Sequence, residues 1–359
     1  MARELSALGE QPRPEDGGVA WSGDARSVLR ANLWLRTASR VLVRVARFNA
    51  RSFAELERHA KRIPWSDFLA DGATPEFRVT SHKSKLLHTG AIEERLATAI
   101  GVRSRSQPGN GDGEPATQLF IVRVVRDEFE VSADASGELL HVRGYRQAVG
   151  KAPLRETLAA ALLLAAEWDG ETPLVDPFCG SGTIPIEAAM IARRLAPGVG
   201  RGFSANRWPG FATDVWRGLV ADARSRERPR APAPIAGSDR DAGAIESARA
   251  NAARAGVAGD IEFTRQAVSS LVAPLGVGLV ACNPPYGARV SAGADLRNLY
   301  ARFGDTLRRA CPGWRVAFYA AHQRMARETK LASRELLRTS NGGIRIAAWA
   351  AQVGPATGR

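Results

Sequence analysis

A glycine-rich turn follows an apolar segment near the middle of the chain. Leu174–Asp176 leads into the turn Pro177–Thr183, and the residues from Ile184 to Arg194 have the pattern of an apolar helix. A strand, a glycine-rich turn and a helix in this order let a ligand approach backbone N–H groups closely. The turn therefore predicts a site for a nucleotide-like ligand.

Three classes of cofactor use such a turn. A phosphate-binding Walker A loop is excluded because no Gly-Lys-Ser/Thr follows. The dinucleotide fingerprint needs a third glycine where this chain has Pro185. The remaining class is the S-adenosylmethionine turn, which needs only the acid and the Gly-x-Gly. Asp176 would then face the methionine amino group of the cofactor.

An acid also ends the next apolar strand, Pro234–Asp239. In nucleotide-binding α/β folds this position binds the ribose hydroxyls. Asp239 is the expected ribose ligand, and Asp241 is the nearby competitor. Either acid could instead cap the helix expected over Ala242–Ala253. The roles are compatible, because one acid can cap while the other binds ribose.

A second motif, Asn283–Tyr286, ends the apolar strand Leu279–Cys282. Its two prolines fix the backbone and remove two N–H donors. Acceptors at Asn283 Oδ1 and the Pro284 carbonyl could bind both hydrogens of an aromatic amine and stabilise positive charge as a methyl group arrives. Tyr286 could stack on the base. Alone, the motif would indicate only a Pro-Pro turn after a strand. Beside a cofactor turn, it favours methylation of an amine. Catalysis would come mainly from positioning the amine, and no strong general base would be required.

Two patterns of elements must position these motifs. From about residue 151, long helices alternate with short apolar strands, which predicts a parallel α/β sheet. Asn341–Gly343 predicts a turn between two C-terminal strands. Before residue 150 the chain reads as mixed α and β, with strands expected at the ranges 41–45, 76–80, 119–124 and 128–131, and helices at 52–57 and 90–100.

Composition favours a polyanionic partner. The formal net charge is +13, and arginine supplies nearly all of the positive charge, which suits bidentate phosphate contact. An arginine-rich sequence could equally reflect a GC-rich genome. The three cysteines are far apart and the five histidines do not cluster with them, so no disulfide framework or metal site is expected. Without a signal peptide or a membrane-length apolar run, we expect a cytoplasmic protein.

The chain resembles class I methyltransferases that carry an N-terminal THUMP domain, in particular the bacterial 23S rRNA guanine-N2 methyltransferases. Phe77–Arg95 looks like the central strand, loop and helix of THUMP, and the range 131–146 looks like its exit. Lys151–Thr157 resembles the segment ahead of the catalytic sheet, near the cofactor. Arg207–Phe211 looks like the group's insertion before the second strand.

The resemblance implies three parts: a ferredoxin-like subdomain over residues 1–50, an RNA-binding THUMP domain over 51–147, and a Rossmann-like methyltransferase domain with a C-terminal hairpin over 148–359. It implies structured RNA as substrate, with the target base held by Asn283, Pro284, Pro285 and Tyr286. The expected cofactor contacts are Asp176, Phe178, Cys179, Gly180, Ser181, Gly182, Thr183, Asp239 and Arg240. The basic residues expected to contact RNA are Arg78, Lys83, Lys85 and Arg95. Each of them could instead belong to a solvated face.

The sequence departs from the group's pattern in two places. Many relatives end the third strand with an Asp that binds the adenine amino group, whereas this chain has Ala267–Ser270 there. Adenine contact is then expected from the backbone or from Ser269. Relatives also begin with a strand, whereas this chain begins with the expected helix Arg3–Leu8. The subdomain is therefore expected to lack an edge strand, or the true start to lie upstream.

Several other functions remain open from the sequence. The Asn-Pro-Pro-Tyr motif also serves adenine-N6 methylation of DNA or RNA, and protein glutamine methylation. The substrate could be tRNA rather than rRNA. A non-catalytic RNA-binding or ribosome-assembly protein is the alternative of another class. The intact Asp176, Gly180, Gly182 and Asn283 argue against it.

Overall fold

The computed structural model describes residues 1–101, 117–147, 154–286 and 296–354. The chain forms two compact units, one of Met1–Leu140 with Gly198–Ala221 and one of His141–Pro197 with Asp222–Arg359. The helices are α1 (Ala2–Ala7), α2 (Ala25–Trp34), α3 (Phe53–Ala60), α4 (Thr89–Ile100), α5 (Glu156–Ala165), α6 (Thr183–Ala192), α7 (Thr213–Ser225), α8 (Ala242–Arg254), α9 (Leu296–Ala310) and α10 (Gln323–Glu328). Across the described ranges, none of the helices has the length and apolar character needed to cross a membrane.

The strands form a two-stranded, a four-stranded and a seven-stranded sheet. They are β1 (Arg13–Glu15), β2 (Gly18–Ala20), β3 (Leu42–Asn49), β4 (Thr74–His82), β5 (Thr117–Val125), β6 (Glu128–Asp134), β7 (Leu174–Asp176), β8 (Ile235–Asp239), β9 (Ile261–Arg265), β10 (Leu279–Cys282), β11 (Arg315–Ala320), β12 (Arg334–Asn341) and β13 (Ile344–Gln352).

The seven-stranded sheet of the second unit has the order β12-β13-β11-β10-β7-β8-β9. The strands from β7 to β11 run parallel, and β13 and β12 form the antiparallel hairpin. The first strand of this unit, β7, therefore lies between β10 and β8. Parallel strands end at the same edge of a sheet, so this order brings the ends of β7, β8 and β10 together. The expected α/β sheet and C-terminal hairpin are both confirmed.

Helices cover both faces of this sheet, because its central strands are apolar on both sides. Leu174 and Ala281 belong to the core beneath α5, α6 and α8, whereas Val175 and Val280 belong to the opposite core beneath α9. Strands buried on both faces read as continuous apolar runs rather than as alternating patterns. That is why short sequence segments were enough to place them.

The first unit contains the four-stranded sheet β3-β6-β5-β4, in which only β4 and β5 are parallel. Helices α3 and α4 pack on its core. Strand β3 has no fully buried residue, because it is an edge strand, although its alternation predicted one buried face. The segment with Trp208 belongs to this unit: its indole Nε1 donates to Gln118 Oε1 at 2.8 Å and its ring meets Phe68 edge-on at 4.9 Å.

Three elements of the first unit were not predicted. The hairpin β1–β2 has three residues in each strand, too few for a periodic pattern. Helix α2 begins after Asp24, whose carboxylate accepts the Ser27 N–H at 2.8 Å. Helix α7 begins in the segment Gly198–Ala221, which joins this unit from later in the chain. The predicted loop after Gly101 falls mostly outside the described residues.

Candidate active site

The turn after β7 requires glycine at Gly182 for two reasons. Its φ is +85°, and a Cβ there would lie 3.0 Å from the Ala248 Cβ and 3.1 Å from the Phe263 ring. Gly180 also has a left-handed φ, of +50°, but a Cβ there would meet no described atom within 4 Å. The turn is therefore packed against the protein at its second glycine and open to a ligand at its first.

Hydrogen bonds from neighbouring elements hold this turn in place. Asp239 Oδ2 accepts the Gly180 N–H at 3.1 Å. The Ser238 carbonyl accepts the Cys179 N–H at 3.0 Å. On the other side, Asn251 Nδ2 in α8 donates to the Ser181 carbonyl at 2.9 Å. The turn thus depends on both β8 and α8 for its shape.

The two acids after β8 have different roles. Asp241 caps α8, because its Oδ1 accepts the Gly243 N–H at 2.8 Å and the Ala244 N–H at 3.2 Å. Asp239 lies outside the helix, with one oxygen on Gly180 and the other accepting the Asp241 N–H at 3.0 Å. Asp239 is therefore the acid beside the glycine turn, and remains the candidate for ribose contact.

Asp176 is 1% exposed at the end of β7. Its Oδ1 accepts the Phe178 N–H at 3.0 Å. Burial raises the pKa of this carboxyl well above its usual value, and the negative charge of Asp239 raises it further, whereas the Phe178 N–H lowers it. A buried acid beside a second acid favours a cationic ligand group. The amino group of the methionine part of S-adenosylmethionine fits this requirement.

The motif after β10 presents an unused acceptor. Asn283 Oδ1 is buried and has no hydrogen-bond partner among the described residues. The Tyr286 hydroxyl accepts Asn341 Nδ2 at 3.1 Å, and the Tyr300 hydroxyl donates to the Pro285 carbonyl at 3.5 Å. Burial raises the pKa of Tyr286, so its phenol is neutral near pH 7. Tyr286 thus anchors the end of the motif, while the Asn283 side chain can accept a hydrogen bond from a ligand.

Three other residues expected to contact the cofactor, Phe178, Cys179 and Thr183, pack within the protein. Phe178 meets Phe303 edge-on at 5.4 Å, and Thr183 is buried as the first residue of α6. Burial raises the pKa of the Cys179 thiol well above its usual value, so it is not an activated nucleophile. Arg240 is exposed, and its carbonyl accepts Arg265 Nε at 3.3 Å.

The segment after β9 contains the side chain considered for adenine contact. Ser269 is exposed in a 3₁₀ turn over Val268–Ser270, and its carbonyl accepts a hydrogen bond from Arg309. The Gln266 N–H donates to the Asp239 carbonyl at 3.0 Å. This segment therefore adjoins the candidate ribose acid through its backbone.

Sequence reasoning missed Asn251, which supports the cofactor turn. Arg254 donates to Asn251 Oδ1 and, through Nε, to the Tyr145 carbonyl at 2.7 Å. The available signal was a polar residue in an apolar helical stripe, since Asn251 lies in register with buried Ile245 and Ala248. A buried polar side chain in such a stripe needs partners.

In the first unit, Asp127 organises part of the expected RNA-binding surface. Its Oδ1 accepts the Lys85 N–H at 2.7 Å, its Oδ2 pairs with Arg51 Nε at 3.2 Å, and its own N–H donates to Ser84 Oγ at 3.0 Å. The side chains of Arg51, Lys83 and Lys85 are exposed. We call these three cations with Asp127 the Asp127 cluster.

The two remaining basic candidates lie elsewhere in contact with acids. Arg95 pairs with Glu57 at 2.7 Å, and its guanidinium lies over the Phe53 ring at 5.6 Å. Arg78 lies 3.9 Å from Glu76 and is exposed. Acidic neighbours offset part of the charge that these two arginines offer to a phosphate.

Comparison with known proteins identifies the family of the chain. The model of the family described as the RMKL-like methyltransferase domain matches residues 143–346, more than half of the chain. The chain belongs to this methyltransferase family. The RlmL ferredoxin-like domain matches residues 1–42, in agreement with the expected N-terminal subdomain.

Individual relatives extend over nearly the whole chain. A Synechocystis protein named as a candidate RNA methyltransferase is 35% identical over 96% of this chain and 91% of its own. The structure of a Listeria monocytogenes protein, named as a candidate N6-adenine-specific DNA methylase, is 34% identical, with a TM-score of 0.85 over 99% of this chain and 92% of that one.

The cofactor is supported by a further solved structure. A candidate methyltransferase solved in complex with S-adenosylhomocysteine is 28% identical, with a TM-score of 0.84 over 100% of this chain and 95% of that one. Together with the buried Asp176 and the open Gly180, this identifies S-adenosylmethionine as the cofactor.

Replacing Asp176 should separate cofactor affinity from stability. Asp176→Asn should lower S-adenosylhomocysteine affinity roughly 10- to 100-fold, because a charged hydrogen bond is lost. The folded-state pKa of Asp176 is raised, so its ionised form destabilises the folded protein at pH 7. The variant should therefore unfold less readily than the wild type without cofactor, and this advantage should shrink as pH falls through the raised pKa.

Asp241→Asn is the matched control, because asparagine caps a helix as well as aspartate does. Its affinity for S-adenosylhomocysteine, measured by calorimetry, and its free energy of unfolding in urea should both stay close to those of the wild type. Undiminished affinity in Asp176→Asn would contradict the assigned contact with the cofactor.

Proposed function

We propose that this protein transfers a methyl group from S-adenosylmethionine to an exocyclic base amine in RNA, with guanine N2 of 23S rRNA as the target. The observation that carries the proposal is the buried Asn283 Oδ1, which has no hydrogen-bond partner among the described residues. It follows β10, the strand beside β7, whose own end holds Asp176 and the glycine turn. An acceptor at that place suits a ligand that brings an N–H donor.

The cofactor would be held by the residues that end β7 and β8. Asp176 would bind its amino group, Asp239 its ribose hydroxyls, and the backbone around Gly180 would face the remainder. When bound, the cofactor supplies an electrophilic methyl group on a sulfonium centre. Because Asp176 is buried, water would have little access to the charged end of the site.

Asn283 would act on the target amine by orientation. The lone pair of an aromatic amine is delocalised into its ring, so the nitrogen is a poor nucleophile. Hydrogen bonds to Asn283 Oδ1 and to the Pro284 carbonyl would favour a pyramidal nitrogen and stabilise its developing positive charge. The nitrogen becomes strongly acidic once it is methylated, so loss of its proton needs no strong base.

RNA as the substrate rests on three observations. The Synechocystis relative is named for RNA methylation, the net charge is +13, and the residues 77–95 resemble THUMP. In the first unit, the Asp127 cluster offers exposed cations to phosphates. Arg78 and Arg95 would contribute less, since each lies beside a glutamate.

Adenine N6 is the second candidate target, favoured by the name of the Listeria relative. The same acceptors can hold either amine, so the choice of guanine rests on the resemblance to the guanine-N2 group.

The RNA of a strain lacking the gene should lose one N2-methylguanosine in 23S rRNA, seen by mass spectrometry of digested nucleosides. Loss of N6-methyladenosine, or a loss confined to tRNA, would replace the proposed target.

Removing the amide acceptor should abolish turnover and spare the cofactor. Asn283→Ala should lower kcat by at least roughly 100-fold, the usual cost of losing one preorganised transition-state contact. Affinity for S-adenosylhomocysteine should stay close to that of the wild type. Asn298→Ala, at an exposed position of α9, is the control for the same substitution. A wild-type rate in Asn283→Ala would exclude the proposed role.

Removing two cations of the Asp127 cluster should reduce the salt dependence of RNA binding. For Lys83→Ala/Lys85→Ala, the slope of log affinity against log salt should fall by about two, one for each lost phosphate contact. Arg217→Ala is the control, because Arg217 is also exposed but pairs with Asp214 at 3.0 Å. An unchanged slope in the double variant would remove this surface from the RNA interface.

A further inference from the structure

One polar side chain of the C-terminal hairpin forms a hydrogen bond with the base-holding motif. Asn341 ends β12 and is 6% exposed. Its Nδ2 donates to the Tyr286 hydroxyl at 3.1 Å. The bend of the hairpin is made by Gly342 and Gly343, both with left-handed φ values, so the turn itself does not require a buried asparagine at position 341.

The Tyr286 hydroxyl joins two elements of the sheet. Tyr286 follows β10, and Asn341 is the last residue of β12. Their hydrogen bond therefore ties the motif after β10 to the end of β12. Asn283, the first residue of the same motif, has a buried Oδ1 without a partner among the described residues.

We infer that Asn341 is a positioning residue of the active site. By fixing the Tyr286 hydroxyl, it holds the aromatic ring in the plane required for stacking on the base. The inference rests on the proposed function of the motif. It extends the active site to the C-terminal hairpin, which was expected only as a structural element.

A double-mutant cycle tests this role. Asn341→Ala and Tyr286→Phe should each lower kcat roughly five- to tenfold, as the loss of one neutral hydrogen bond would, with S-adenosylhomocysteine affinity unchanged. In the double variant the losses should not multiply, because without the hydroxyl Asn341 has nothing to hold. Asn341→Asp keeps the side-chain size and can accept from the hydroxyl, so it should retain more activity than Asn341→Ala.

Ser340→Ala, at the exposed neighbouring position of β12, should behave as the wild type. Multiplying losses, or weakened cofactor binding in Asn341→Ala, would overturn the inference while leaving the proposed function intact. A wild-type protein inactive on every RNA would instead overturn the proposed function. The free energies of unfolding of the wild type, the two single variants and the double variant test the contact without an assay of activity. The two substitutions should also be coupled in stability, and independent effects on stability would contradict the contact.

Discussion

The position of β7 between β8 and β10 is the constraint on which the site depends. Parallel strands end at one edge of a sheet, and the chain reverses its direction of travel across the sheet at β7. Asp176, Asp239 and Asn283, which end these strands or follow them, are thereby brought to one edge from distant parts of the chain. The hydrogen bond from Gly180 N–H to Asp239 then ties the glycine turn to the neighbouring strand.

Two buried polar groups at this edge are costly to the folded protein. Asp176 is nearly inaccessible and lies beside a second acid, and Asn283 Oδ1 has no described partner. An uncompensated buried carboxylate or amide oxygen costs free energy, which the apolar cores on both faces of the sheet offset. In the proposed function, Asp176 would be satisfied by the positive charge of the cofactor and Asn283 Oδ1 by an N–H donor of the substrate.

The sequence was sufficient for the parts of the site that are local. Leu174–Thr183 and Leu279–Tyr286 each combine an apolar strand with a turn of distinctive chemistry, so element and motif could be placed together. Asp239 was the expected ribose ligand, but the sequence did not exclude Asp241, because either acid could bind ribose or cap the helix. Only the hydrogen bonds of Asp241 to the first N–H groups of α8 separated them.

Contacts between distant residues could not be predicted. Asn251 meets Ser181, Asn341 meets Tyr286, and Asp127 meets Arg51 only because separate elements pack side by side. No propensity or spacing encodes such pairs. The same holds for Gly198–Ala221, which joins the first unit although it lies within the second along the chain.

The central claim is that the amine held by Asn283 belongs to a base in RNA. Its most direct test supplies the purified protein with S-adenosylmethionine carrying a deuterated methyl group and with RNA from a strain lacking the gene. The account predicts deuterated N2-methylguanosine among the digested nucleosides. Deuterium in N6-methyladenosine would contradict guanine as the target, and RNA without any deuterium would contradict the claim as a whole.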